Sequence, residues 1–205
     1  MKDKFIVFEG VDGSGQNTQA ELLVKYLKTK GFDVLETYEP TDSSIGARIR
    51  KILSGDITSS GGALGLQMLM VRDRKWHLSN VIQPHLNKGG VVVCVRYLYS
   101  TLAYGQADGL GYDKLWEMNK GFLIPDLTIY LDLDPEISLD RVKRRAEKSG
   151  KSLDIFEKKD FLTKVRENFL ELIRRFPEMV KVDASGTLDE VHQKVLDYVE
   201  SLITK

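Results

Sequence analysis

The chain carries a single cysteine, Cys94, in 205 residues. That excludes a disulfide framework within the chain and fits a reducing compartment, so the expected location is the cytoplasm. Cys94 sits in the apolar run GVVVCV, which predicts a buried, inert thiol. Histidine is nearly as scarce. His77, His85 and His192 fall at no metal-ligand spacing, which argues against a zinc site and reads as three surface residues. Charge of one sign is also lacking, since thirty basic residues balance thirty acidic ones. No global pull toward nucleic acid or membrane is expected, and any basic site must be local. No stretch approaches the length of a membrane span. The apolar run in the opening MKDKFIVFEG is too short for a signal peptide.

What is present is an ordinary globular composition, 42% hydrophobic and 29% charged. At this length one domain over residues 1–205 is expected, with no repeat, low-complexity tract or domain-scale linker. Strands are predicted at Lys4–Glu9, FDVLETY, GGVVVCV, DLTIYLDL and MVKVDA. Helical spacing covers Thr18–Lys30, Ile45–Leu53, Ala63 toward Asn87, Pro135–Lys148, Lys159–Arg175 and Leu188–Leu202. Gly31 is placed to cap the first helix, and Pro84 makes the end of the third uncertain. Strands alternating with helices predict an α/β protein with a mostly parallel sheet covered on both faces, whose ligands bind at the carboxyl ends of the strands.

One stretch carries most of the functional signal. EGVDGSGQNTQ, Glu9 to Gln19, places Gly10, Gly13 and Gly15 between a strand and a helix. Such glycines let successive backbone N–H groups face inward, and a helix N-terminus adds a favourable dipole for phosphate. Gln16 and Asn17, however, stand where a phosphate-binding loop calls for lysine and then serine or threonine. Read alone, the stretch fits a P-loop and a generic glycine-rich turn equally well.

FEGVDGSGQNTQ, EPTDSSIGARIR, RDR, RYLYSTLAYGQ and RVKRRAEKSGKSLDIFE follow one another in that order. The series resembles thymidylate kinases, P-loop nucleoside monophosphate kinases that transfer the ATP γ-phosphoryl group to dTMP, over nearly the whole chain. The resemblance implies a P-loop three-layer fold, with a five-stranded parallel sheet wrapped by helices and a basic lid over about 141–157. ATP and dTMP are the implied ligands, with Mg²⁺ held more by phosphate oxygens and water than by protein. A homodimer is implied too, for which an apolar helix face around Leu64 to Met70 is available.

The resemblance also assigns residues. Gly10, Gly13, Ser14, Gly15, Gln16, Asn17 and Thr18 form the nucleotide loop. Asp12 matches the acid at the substrate deoxyribose, and Glu39 and Pro40 the Glu-Pro turn beside the substrate. Arg74 matches the long-helix arginine that reaches the nucleotide, and Met70 falls where relatives place a phenylalanine against the base. Arg96 matches the arginine gripping the substrate phosphate. Ser100, Thr101 and Tyr104 match the polar edge and aromatic wall of the thymine pocket. Arg141 and Arg145 head the lid, and with Arg96 and Gln16 they are the catalytic candidates. Each has a structural alternative, Arg74 as a solvated helix face and Tyr104 as core, and without the rest of the series the lid run reads as an exposed helix end. That run lacks the interleaved aromatics of a nucleic-acid patch.

The departures cluster on chemistry. Glutamine at 16 donates hydrogen bonds but brings no charge. Asn17 replaces the hydroxyl that ligates Mg²⁺, and Thr18 comes one position late. Val95 stands where the family has the aspartate of Asp-Arg-Tyr, and Ile155 where related lids often carry arginine, for which Lys148 and Lys151 are available as replacements. Loss of one preorganised donor costs about 10²–10³ in rate, and independent losses multiply to roughly 10⁴ unless the residues act as one unit. Four readings stay open: an unorthodox but active thymidylate kinase, an inactive nucleotide-binding paralogue acting as sensor or partner subunit, a chain altered deliberately to trap a complex, and a different monophosphate specificity.

Overall fold

The structure is a computed structural model that describes residues 3–149, 156 and 158–203, with the side chains of Arg145 and Ser149 outside that description. Five strands are formed by runs that are apolar or alternate: β1 Lys4–Gly10, β2 Val34–Tyr38, β3 Val91–Val95, β4 Leu127–Asp132 and β5 Met179–Asp183. Every pairing is parallel, and the order β2-β3-β1-β4-β5 puts β1 at the centre. Because strand side chains alternate, β1 feeds two cores. Phe5 and Val7 join one cluster, and Ile6 and Phe8 the other. This is why the central strands read as continuous apolar runs.

The helices complete three layers. On one face lie α1 (Gln16–Thr29) and α9 (Leu188–Ile203), through Ala20, Leu23, Leu27, Val191, Val195 and Val199. On the other lie α2 (Ser44–Leu53), α3 (Gly62–His77), α4 (Gln83–Leu86), α5 (Leu98–Ala107), α6 (Tyr112–Asn119), α7 (Pro135–Ser149) and α8 (Lys159–Arg175), represented by Ile49, Leu66, Leu86, Leu102, Leu115, Leu139 and Phe169. Gly31 ends α1 at φ 83°, as the sequence implied. The long helix expected from Ala63 toward Asn87 is α3 and α4 joined by a π-helical turn, Leu78–Ile82. Pro84 lies in the first turn of α4, where a missing N–H takes little from the ladder.

Helices α5 and α6 were not predicted. Two expectations on single residues divide. Cys94 is fully buried, and burial pushes its thiol well up. His77, expected at the surface, is instead fully buried, because it meets the Thr37 hydroxyl of β2 and the carboxylate of Glu39 just beyond it. Of the lid, the description covers only Arg141 to Ser149, within α7, and Phe156; Lys151, Ile155 and Glu157 lie outside it.

Candidate functional site

The loop leaving β1 is shaped by positions only glycine occupies comfortably. Gly13 has φ 81°, and a Cβ there would meet the Ser138 carbonyl of α7 at 2.7 Å. Gly15, at φ 96°, is the residue before α1. Ser138 donates its hydroxyl to the Asp12 carbonyl, so α7 clamps the loop from above. Gln16 is buried and folds back, donating Nε2–H to the Gly10 carbonyl at 2.9 Å. Asn17 and Thr18 face solvent. The Ser14 hydroxyl is buried without a hydrogen-bond partner.

A cavity of about 840 Å³ opens above this loop. Segments beyond β2 and β3 line it on one side, and Ala184, Gly186, Thr187 and Leu188 beyond β5 on the other. The strand order dictates that arrangement, because β1 and its loop lie between those strands. Arg141 spans the middle, its guanidinium at 3.4 Å from the Gly13 carbonyl and 3.5 Å from that of Ala184. These separations are long for hydrogen bonds, so the charge is held loosely over the loop.

On the β3 side, Arg96 adopts φ 64°, rare for a residue with a side chain. Its backbone N–H donates to the Phe8 carbonyl at 2.8 Å, which fixes the segment to β1. The guanidinium donates to Asp12 at 2.9 Å, to the Ser100 hydroxyl at 3.2 Å and to the Tyr104 hydroxyl at 3.3 Å. It also lies 5.1 Å from the centre of the Tyr104 ring. Burial works against its charge, but Tyr104, Asp12 and Glu9 outweigh that and hold the guanidinium more firmly protonated than usual. The Tyr104 ring packs against Phe156 and Phe161 on its other contacts. Val95, beside Arg96, is buried and offers only methyl groups.

Arg74 is 1% exposed. It donates from Nε and Nη2 to Glu39 at 3.0 and 2.8 Å, from Nη2 also to the Tyr97 carbonyl and the Thr101 hydroxyl at 3.0 Å, and from Nη1 to Asn119. His77 completes the network, with Nδ1 at 3.1 Å from Glu39 and Nε2 at 2.7 Å from the Thr37 hydroxyl. The solvated-face reading of Arg74 is therefore wrong for this fold: its partners sit on three other elements. The Glu39–Pro40 peptide is cis, and Asp73 holds the turn after it by accepting from the Thr41 N–H and hydroxyl and from the Ser43 hydroxyl.

Asp12, Gly13, Ser14, Gly15, Gln16, Asn17, Thr18, Glu39, Pro40, Met70, Arg74, Arg96, Ser100, Thr101, Tyr104 and Arg141 all line this one cavity, with Gly10 at the foot of its loop. The side chain of Arg145 lies outside the described residues. Sequence reasoning missed several contributors besides the segment beyond β5, among them Glu9, Arg50, Gln67 and Phe156. Glu9 is fully buried and accepts from Tyr97 and Ser100. Arg50 reaches the cavity while donating to the Pro40 and Thr41 carbonyls at 2.8 and 2.6 Å. Gln67 and Phe156 form part of its wall. Helical spacing from Met70 and Arg74 was the signal available for Gln67.

A parallel sheet whose central strand runs through a glycine turn into a helix N-terminus, beneath a cavity ringed by arginines, defines a P-loop nucleotide-binding fold. Residues 8–195 match the thymidylate kinase family. The chain is 43% identical to a thymidylate kinase of Caldicellulosiruptor saccharolyticus over 209 residues, covering all of both chains. It is 40% identical to a probable thymidylate kinase of Pyrococcus horikoshii over 204 residues, covering 98% of this chain and 97% of the other. A crystal structure of a thymidylate kinase from Ehrlichia chaffeensis shares the fold, with a TM-score of 0.75 at 23% identity, covering 98% of this chain and all of that one. The chain belongs to the thymidylate kinase family.

Proposed function

We propose that this chain, working as one unit, transfers a phosphoryl group from ATP to dTMP, with catalysis weakened on the phosphate-donor side. The observation that carries the reading is the convergence of Arg74, Arg96 and Tyr104 on the cavity above the glycine loop. Arg96 is preorganised by Asp12, Ser100 and the Phe8 carbonyl to hold a monophosphate, while Tyr104 and Met70 supply flat, apolar surface for a base. Asp12 lines the cavity and is bonded to Arg96, which supports its reading as the acid that meets a deoxyribose. The segment beyond β5 supports a second nucleotide across the loop, with Arg141 between the two. Phosphoryl transfer consists mainly of positioning and charge stabilisation, which is what Arg96 and Arg141 offer.

The donor side is thinner. Gln16 donates to the Gly10 carbonyl and carries no charge, and Val95 provides no ligand. Among the described residues no three His, Cys, Asp or Glu side chains converge on a metal position. A nucleotide-bound Mg²⁺ would therefore rest on phosphate oxygens and water, and would supply charge neutralisation there. The same observations favour a second reading, a nucleotide-binding paralogue that holds dTMP without turnover and acts as sensor or partner subunit. Calorimetry with dTMP tests the shared premise: a saturable 1:1 isotherm is expected, and none at millimolar dTMP would overturn both readings.

A further inference from the structure

Glu9, the last residue but one of β1, is fully buried, yet it is linked to the cavity wall through one hydroxyl. Its Oε1 accepts the backbone N–H groups of Tyr97 and Ser100 at 2.9 and 3.0 Å. Backbone N–H groups only donate, so a proton on this carboxyl belongs on the other oxygen. Oε2 meets the Ser100 hydroxyl. Ser100 is half-buried and lines the cavity, and its oxygen also accepts from Arg96 Nη1 at 3.2 Å. A hydroxyl has one hydrogen to give and two lone pairs. With Glu9 ionised, that hydrogen is committed to Oε2. With Glu9 protonated, Oε2–H donates to Ser100 instead, Arg96 keeps the second lone pair, and the Ser100 hydrogen is free to point into the cavity.

Resting on the reading of this cavity as a monophosphate site, we infer that Glu9 is a positioning residue: its proton decides whether Ser100 offers a donor to the phosphate of a nucleoside monophosphate, which binds more tightly while Glu9 is protonated. Two effects act in one direction. Protonation frees the Ser100 donor, and it removes a negative charge that otherwise opposes the phosphate and offsets Arg96. Arg96 is the cation acting on Glu9, from the segment after β3. Asp12 of the glycine loop is paired with that arginine at 2.9 Å. Arg74, which donates to the Tyr97 carbonyl and to Thr101, is paired with Glu39 at 2.8 Å. Burial pushes up the Cys94 thiol on β3 and the Tyr97, Tyr99 and Tyr104 hydroxyls at and within α5. It does the same to Tyr130, the β4 residue in register with Glu9. These groups stay neutral near pH 7, where burial holds the Glu9 carboxyl at about 7. The Ser100 hydroxyl is also the route by which the buried carboxyl exchanges its proton with the cavity.

The test is calorimetry of dTMP and thymidine with the unaltered chain and with Glu9→Gln, between pH 6 and pH 8.5. Glutamine keeps an oxygen for the two backbone N–H groups and an N–H for Ser100, so it reproduces the protonated state at every pH. For dTMP the two proteins should match at the low end. At the high end the unaltered chain should bind about tenfold more weakly than the variant, the scale of one hydrogen bond to a charged group. The phosphate's own titration is common to both and drops out of the ratio. Thymidine, which lacks the phosphate, should show a ratio near one throughout. A dTMP ratio that does not change with pH would overturn the inference and leave the site reading intact. A thymidine ratio that changes as the dTMP ratio does would also overturn it, because Glu9 would then act on the pocket as a whole. Absence of dTMP binding by the unaltered chain would overturn the site reading itself. A second measurement uses the unaltered chain alone. At about pH 8 a phosphate monoester is already a dianion, and dTMP binding should take up protons, read from the dependence of the heat on buffer ionisation enthalpy. No uptake would overturn the inference without any variant.

Discussion

Glu9 holds Ser100 at two points, its carboxylate accepting the Ser100 backbone N–H at 3.0 Å and the Ser100 hydroxyl. It also accepts the Tyr97 N–H at 2.9 Å. The strand that carries the glycine loop and the helix that begins after Arg96 are thus joined by one fully buried carboxyl group. This bond fixes the segment from which Arg96 projects.

Stability should therefore fall as pH rises through neutrality. Burial lifts the Glu9 carboxyl from 4.5 to about 7, against the lowering effect of the Ser100 hydroxyl, the Arg96 charge and the two backbone N–H groups. A carboxyl raised on folding binds more protons in the folded state, so its contribution is complete below about 4.5 and is lost as pH rises through about 7. The amount is of order 3 kcal/mol. Glu9→Gln, which cannot ionise, should gain stability relative to the unaltered chain between pH 5 and pH 8 in urea denaturation. Parallel pH curves for the two proteins would contradict this.

The Arg74–Glu39 pair makes a different prediction. Both side chains are almost wholly buried, and losing one partner of such a pair leaves an uncompensated charge at about 3–5 kcal/mol. Arg74→Met should lower the urea midpoint strongly. Adding Glu39→Gln should recover a substantial part of the loss, because the stranded charge is then removed. Losses that simply add would show that the two residues are not coupled.

Restoring the donor side tests where activity is limited. Gln16→Lys, Asn17→Ser and Val95→Asp together should raise dTMP-dependent turnover by about 10² or more, the scale of a single preorganised electrostatic group. ADP release under saturating nucleotide measures it. No gain in a protein that binds dTMP normally would place the deficit elsewhere in the site.

Much of this was legible in the sequence because local pattern and tertiary role coincide. β1, β3 and β4 are covered on both faces, and a continuous apolar run bounded by turn residues reports that directly. The glycine loop announces itself because Gly13 has a backbone conformation and an α7 neighbour that no side chain tolerates. Helix α5 was invisible for the opposite reason. Leu98, Tyr99, Thr101, Leu102, Ala103, Tyr104 and Gly105 are all buried, so no polar face sets up a 3.6-residue period. Gly105, which reads as a breaker, is small because a Cβ would strike the Leu115 side chain at 2.8 Å. Helix α6 has only eight residues, too few for periodicity to emerge.

The site shows the same division. Residues within a motif were found, while those defined by distant partners were not. His77 is buried because Glu39 and Thr37, about forty positions away, arrive beside it. Arg50 shares its helix with Arg48, and nothing local distinguishes the one that reaches the cavity. Glu9 was read as part of a motif, but its role depends on α5, which the sequence did not reveal.

The central claim is that the monophosphate side of this cavity is intact while the donor side is weakened. The most direct measurement is ADP formation from ATP and Mg²⁺ with and without dTMP, on the same sample used for dTMP calorimetry. The account predicts dTMP binding together with slow turnover that depends on dTMP. Turnover at the unimpaired rate of a kinase, about 1–100 s⁻¹, would contradict the weakened donor side, and absence of dTMP binding would contradict the intact monophosphate side.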